Sequence, residues 1–222
     1  TSKSGSADVL TALGVNIALP PETVSTCIEK IGIGFMFAPS LHPAMKYAMG
    51  ARTALGTRTV FNILGPLCNP AGVELQLMGI FDGSLTEKIA NVLKKLGSLN
   101  AMIVYGDDGL DEISTTASTK ISQLKNDGKI ETMYISASDY GFDVATLEEL
   151  QGGMPDENAE IIKNILTGND TGKKADIVIL NAAVAIFIGG GAVSIDEGIA
   201  RAREAISSGA AMNILLELAA VK

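Results

Sequence analysis

The chain has 222 residues, of which 47% are hydrophobic and 5% aromatic, with no Trp and a formal net charge of −8. That length supports one large domain or one and a half, built on an aliphatic core of the kind that suits a layered α/β fold. The acidic balance argues against a nucleic-acid surface, which carries a basic stripe. Two isolated cysteines, Cys27 and Cys68, make neither a disulfide framework nor a Cys metal site and point to a reducing cytoplasm. The longest apolar run, Ile177 to Val193, is broken by Asn181 and three glycines and falls short of the roughly 18 uncharged residues that argue for a membrane span.

The N-terminal run from Thr1 to Asp8 is small and polar, unlike a signal peptide, and reads as the interior of a longer sequence. Ser4-Gly5-Ser6 offers hydroxyls and backbone N–H groups, and Ala7 to Gly14 reads as a short helix with a terminal glycine. Such a start favours a phosphate or carboxylate; simple capping by Ser6 also accounts for it. Pro21 to Lys30 is the next helix, opened by proline and an acid, and Gly34 to Ala38 reads as a short apolar strand. From Pro39 to Ala71 the chain gathers His42, Lys46, Arg52 and Arg58, although it has only 17 Lys and Arg in all. A locally basic segment in an acidic protein suggests a small anionic ligand, although an ordinary amphipathic helix would also look like this. His42 is the only histidine, and a lone His near a helix start reads as a cap or packing residue rather than a base.

Leu75 to Phe81 (strand), Ser84 to Leu96 (amphipathic helix) and Asn100 to Tyr105 (strand) form a β-α-β unit, which implies a parallel pair. Ligands of such sheets sit beyond the carboxyl ends of the strands. Asp107, Asp108, Asp111 and Glu112 follow directly there. Carboxylates so crowded repel one another unless a cation is near, and oxygen donors of this kind suit Mg²⁺ completed by substrate phosphates. A solvated acidic turn would have the same composition. Thr119 to Tyr134 reads as a peripheral antiparallel hairpin around Asn126-Asp127-Gly128, and Ser138 to Phe142 as a loop. Helices are expected over 146–150, 156–166, 173–188, 194–208 and 210–221, with Arg201 and Arg203 as solvated helix charges.

Several of these stretches, taken together, resemble one family. Ser4 to Leu10 with Leu13-Gly14, Phe37-Ala-Pro39 with His42-Pro-Ala-Met45, Arg52, Arg58-Thr59, Phe61-Asn-Ile-Leu-Gly-Pro-Leu67 with Asn69-Pro70, Gly106 to Ser114 and Asn181-Ala-Ala183 are similar, in order and spacing, to anthranilate phosphoribosyltransferases. The resemblance covers essentially the whole chain. It implies an α/β fold like that of the nucleoside phosphorylases and phosphoribosyltransferases, with a mostly parallel sheet, flanking helices, a peripheral antiparallel hairpin and a remnant of a small α-helical domain. Residues 1–38 would then start the α/β domain, 39–70 would belong to the small α domain and hinge, and 71–222 would complete the α/β domain.

The implied reaction is Mg²⁺-dependent transfer of the phosphoribosyl group of phosphoribosyl pyrophosphate (PRPP) to the amine of anthranilate, in tryptophan biosynthesis, by a cytoplasmic homodimer. Arg52 matches the family's anthranilate-binding arginine, with His42 in the same channel. Ser6, Ser2 and Thr1 match PRPP-contacting positions, and Asp111 and Glu112 match the metal-binding acidic pair. The family's N-terminal helices and Gly-rich phosphate loop have no counterpart in these residues, so little activity is expected of this chain alone. A pyrimidine nucleoside phosphorylase and a non-catalytic nucleic-acid-binding relative are the rival readings. The Asn-Ile-Leu-Gly-Pro-Leu and Asp-Glu elements disfavour the first, and the net charge of −8 disfavours the second.

Overall fold

The computed structural model describes residues 4–41 and 61–222, with the side chains of Phe61 and Asn62 outside the description. The chain divides into two compact units. One comprises Asn69–Gln151 and Asp170–Ala205, the other Thr1–Cys68, Gly152–Asn169 and Ile206–Lys222.

The first unit is built on a four-stranded sheet in the order β1-β2-β3-β4, mixed rather than mostly parallel, since among the described strands one pairing is parallel and two are antiparallel. Strand β1 (Leu75–Gly79) pairs in parallel with β2 (Asn100–Gly106), Leu75 opposite Asn100 and Gly79 opposite Val104. A parallel pair requires a crossover. Counting the described helices from the N-terminus, that crossover is α5 (Thr86–Leu96), preceded by a 3₁₀ turn at Gly83–Leu85. Glu87 in its first turn and Lys94 and Lys95 in its last complement the helix dipole. Gly97, at φ 96°, ends it in the left-handed region open to glycine.

Strands β3 (Thr119–Leu124) and β4 (Ile130–Ile135) form the expected antiparallel hairpin, but its first strand is interior. Between β2 and β4, β3 buries Ile121, Ser122 and Leu124. Its lysine does not mark an edge: the Lys120 ammonium donates to the Gly83 carbonyl at 2.9 Å. Ser122 donates to Thr86 beneath α5 at 2.9 Å, which satisfies a hydroxyl that would otherwise be stranded in the core.

Residues two apart on a strand share a face, and Met102 and Val104 of β2 accordingly join one cluster with Ile121 and with Leu180, Ala183 and Val184 of α8 (Lys173–Ile188). The neighbouring α9 (Ile195–Ser207) approaches α8 through Gly198, where a Cβ would lie 2.5 Å from the Ala183 carbonyl oxygen. The stretch 138–142, expected as loop, contains a 3₁₀ turn, Ala137–Tyr140, that delivers Phe142 to the core. Arg203 is more than a solvated charge, since its guanidinium carbon sits 5.4 Å from the Phe142 ring centroid. Arg201 makes an exposed i,i+4 pair with Glu197 at 2.8 Å. The short α6 (Leu147–Leu150) is capped by Thr146, which accepts from Glu149 N.

In the second unit the described elements are all helical: α1 (Ser6–Ala12), α2 (Pro21–Ile31), α3 (Ala38–Leu41), α4 (Phe61–Leu67), α7 (Pro155–Leu166) and α10 (Ala210–Ala219). Val15, Leu19, Val24, Cys27 and Leu218 form its core. The strand expected over Gly34 to Ala38 is not formed. Gly34 lies so close to α2 that a Cβ would meet Ile28 and Val24 side chains at 2.8 and 2.9 Å. Met36 turns into the helical core, and Phe35 and Phe37 stack on each other at 6.4 Å. With helices around it, this segment finds side-chain packing and no ladder partner. The cap of α1 also differs from expectation: Gly5 is the N-cap, the Asp8 carboxylate accepts from Gly5 N at 2.9 Å, and Ser6 is the first helical residue. The expected helix around His42 to Leu55 lies outside the described residues. No helix among the described residues is long and apolar enough to cross a membrane.

Gly198→Ala is expected to force α8 and α9 apart and to cost about 1–3 kcal/mol, the usual range for overpacking. Urea denaturation monitored by circular dichroism measures it, and an unchanged midpoint would contradict the close approach.

Candidate active site

At the carboxyl end of β2 the chain enters a closed loop. Gly106 N donates to the Leu110 carbonyl at 2.8 Å, Gly109 N to the Gly106 carbonyl at 2.8 Å and Asp107 N to the Ser118 carbonyl at 2.9 Å. Asp108 ties the loop together: its carboxylate accepts from Leu110 N at 3.0 Å and from the hydroxyls of Ser114 and Thr116. Burial on its own would raise the pKa of this carboxyl, but the Ser114 and Thr116 hydroxyls and backbone donors outweigh it and hold the group below the usual Asp range. Asp108 is therefore a strut of the loop. Its charge is already engaged, so the four-carboxylate cluster read from the sequence reduces, for metal binding, to fewer members.

Asp111 and Glu112 are both exposed residues, the Glu112 carboxyl being partly shielded from solvent. Partial loss of solvent, then the adjacent Asp111 charge, raise the Glu112 carboxyl above its ordinary range. Two carboxylates on adjacent residues fit a divalent cation, which would relieve their mutual repulsion. Among the described residues no group of three or more His, Cys, Asp or Glu could hold a metal. The pair thus offers a partial oxygen set of the sort Mg²⁺ accepts when phosphates and water complete its octahedron.

Two contacts fix the backbone of this pair. A Cβ on Gly79, at the end of β1, would fall 1.6 Å from the Asp111 carbonyl oxygen, so only glycine permits the approach. On the following residue, Ile113 N donates to Asn181 Oδ1 at 2.9 Å and Asn181 Nδ2 donates to the Ile113 carbonyl at 2.8 Å.

In the other unit, Ser6 opens α1, and Ser4 is held from a distant part of the chain. Asn158 of α7 donates through Nδ2 to Ser4 Oγ at 2.8 Å and to the Gly153 carbonyl at 3.1 Å, while its Oδ1 accepts from Gly153 N at 2.8 Å. Thr1, Ser2, His42 and Arg52 lie outside the described residues. Sequence reasoning assigns no site role to Asn158 or Asn181. The available signal is Asn181 as a polar interruption of the apolar run from Ile177, a place where a half-buried amide must find partners; Asn158, in a mixed polar helix, gives none.

A parallel crossover feeding an acidic loop at the carboxyl end of its second strand places the chain among open α/β folds. Residues 1–212 match the glycosyl transferase family, a/b domain, and the chain belongs to that family. Over 218 residues it is 52% identical to the anthranilate phosphoribosyltransferase of Alkaliphilus metalliredigens, covering 98% of this chain and 64% of that protein. It is 52% identical over 217 residues to that of Acetivibrio thermocellus, covering 98% of this chain and 62% of that one. Among solved structures, anthranilate phosphoribosyltransferase from Thermus thermophilus superposes with a TM-score of 0.90 at 39% identity, covering 97% of this chain and 64% of its own. The Saccharomyces cerevisiae enzyme in complex with PRPP and Mg superposes with a TM-score of 0.86 at 29% identity, covering 96% and 61%. The chain spans less than two thirds of the length of these relatives.

Because the folded-state pKa of Asp108 lies below its unfolded value, its stabilisation is complete above the ordinary carboxylate value of about 3.9 and is lost as the pH falls through the lowered value. Asp108→Asn is expected to lose about 1–3 kcal/mol at pH 7, a difference from wild type that shrinks towards pH 3. Urea titrations at the two pH values measure it.

Proposed function

We propose that this chain is the larger part of an anthranilate phosphoribosyltransferase. The complete enzyme would transfer the phosphoribosyl group of PRPP to the amine of anthranilate, giving N-(5-phosphoribosyl)anthranilate and pyrophosphate, in tryptophan biosynthesis. The observation that carries this reading is the 52% identity to such enzymes along 98% of the chain. The cytoplasm is the proposed setting and a homodimer the proposed assembly of the complete protein, with anthranilate and PRPP as its small-molecule partners.

In this reading the planar guanidinium of Arg52 forks onto the anthranilate carboxylate, a geometry suited to a bidentate pair, with His42 beside it. Ser6, with Ser2 and Thr1, donates hydroxyl hydrogen bonds to PRPP oxygens. Asp111 and Glu112 would hold Mg²⁺, which when bound would supply charge to offset that developing on the departing pyrophosphate. No residue is asked to act as a covalent nucleophile. The protein aligns the amine with the ribosyl carbon, and orientation alone can supply a large share of the rate.

The test is loss of anthranilate fluorescence on adding PRPP and Mg²⁺ to the protein of the complete gene. Turnover is expected, and Arg52→Ala should raise the anthranilate KM by about 10-fold or more, the loss of one charge-assisted pair, with the PRPP KM little changed. Absence of turnover, or phosphorolysis of thymidine in its place, would overturn the reading.

A further inference from the structure

Asn181 lies midway along α8, in its most apolar stretch, and uses three hydrogen bonds. One Nδ2 hydrogen goes to the Ile177 carbonyl of its own helix at 2.9 Å, which suffices to satisfy a polar side chain within a helix. The remaining capacity is spent on a single residue 68 positions earlier: Oδ1 accepts from Ile113 N, and the second Nδ2 hydrogen goes to the Ile113 carbonyl. The amide thus pairs with Ile113 as a neighbouring strand would, through both its N–H and its C=O. The Ile113 side chain is itself fully buried in the cluster containing Leu180 and Val184.

Ile113 directly follows Glu112, and Asp111, directly before it, has its carbonyl seated on Gly79. The two acidic residues therefore occupy a short peptide anchored on both sides, by a glycine at the end of β1 and by an amide from α8. Rigid supports of this kind matter where two ligands must meet one ion, because an adjacent pair on a loose loop would present its carboxylates in many relative orientations.

We propose that Asn181 is a positioning residue for the metal-binding pair: by clamping both backbone groups of Ile113 it holds the Asp111–Glu112 peptide in the orientation that presents both carboxylates to one divalent cation. This rests on the reading of that pair as the Mg²⁺ site.

The experiment uses Mn²⁺ as a paramagnetic probe, titrated in the presence of PRPP against the protein of the complete gene and followed by electron paramagnetic resonance. Backbone hydrogen exchange across residues 106–116 is measured alongside. Asn181→Ala is expected to weaken Mn²⁺ binding ~10–100-fold, the usual consequence of removing a residue that orients a metal ligand, and to speed exchange at residues 111–113. Leu93→Ala, which removes a buried side chain of α5 outside the cluster that holds Ile113, should lower the melting temperature without moving either readout. Should the alanine variant not fold, Asn181→Ser answers the same question, because its hydroxyl can satisfy the Ile177 carbonyl but is too short to reach both groups of Ile113. Mn²⁺ affinity and exchange indistinguishable between the Asn181 variants and Leu93→Ala would overturn the proposal and leave the clamp a feature of folding alone. If Asp111→Ala and Glu112→Ala leave wild-type Mn²⁺ affinity unchanged, the metal reading fails first and the proposal falls with it.

Discussion

The carbonyl of Asp111 occupies the space that any side chain at residue 79 would need. This exclusion links the end of β1 to the acidic loop that follows β2, and much of the first unit can be traced from it. The loop can fold back onto β1 because β1 and β2 run parallel, so that their carboxyl ends lie at one edge of the sheet. They run parallel because α5 carries the chain back between them. The same sheet edge is where open α/β folds place their ligands, and here it receives two exposed carboxylates rather than a bulky side chain.

Side chains do much of the hydrogen bonding that regular structure would otherwise supply. Asp108 accepts from a backbone amide and two hydroxyls within its own loop, Asn181 completes the backbone of Ile113, and Asn158 completes Gly153 and reaches Ser4. Each such bond contributes only about 1 kcal/mol net, but leaving a buried partner unmet costs about 1–3 kcal/mol. Loops built in this way hold one shape without disulfides. Cys27 and Cys68 are both free, the first buried and the second exposed.

The secondary structure was legible wherever periodicity was strong and its ends were marked. The helix over Lys173–Ile188 and the crossover between β1 and β2 follow from hydrophobic pattern and from glycines at the turns. The pattern failed where a short apolar run admits two uses. Gly34 to Ala38 is as apolar as a strand, yet Met36 packs among helices. The lysines of the hairpin suggested an edge, and β4 forms one, but Lys120 reaches the Gly83 carbonyl and its own strand β3 is interior. Side-chain partnerships at long range were least legible. Composition placed Asp108 with Asp111 and Glu112, and only the fold separates the residue that ties the loop from the two that face solvent. Ser6 likewise looked like a cap, a task that Gly5 and Asp8 perform.

The two units are interleaved along the chain, which passes between them after Cys68, Gln151, Asn169 and Ala205. During synthesis the first unit's sheet is complete in sequence once Ile135 has emerged, although α8 has yet to cover one face. The second unit waits longer: Val24 and Cys27 of α2 share a core with Leu218 of α10, almost the whole chain away. Such separations slow folding, because a long loop must close before its contacts are rewarded. Helix α2 therefore leaves the ribosome well before α10, which completes the core they share. In this unit, the packing of α2 is finished only when the last described helix arrives.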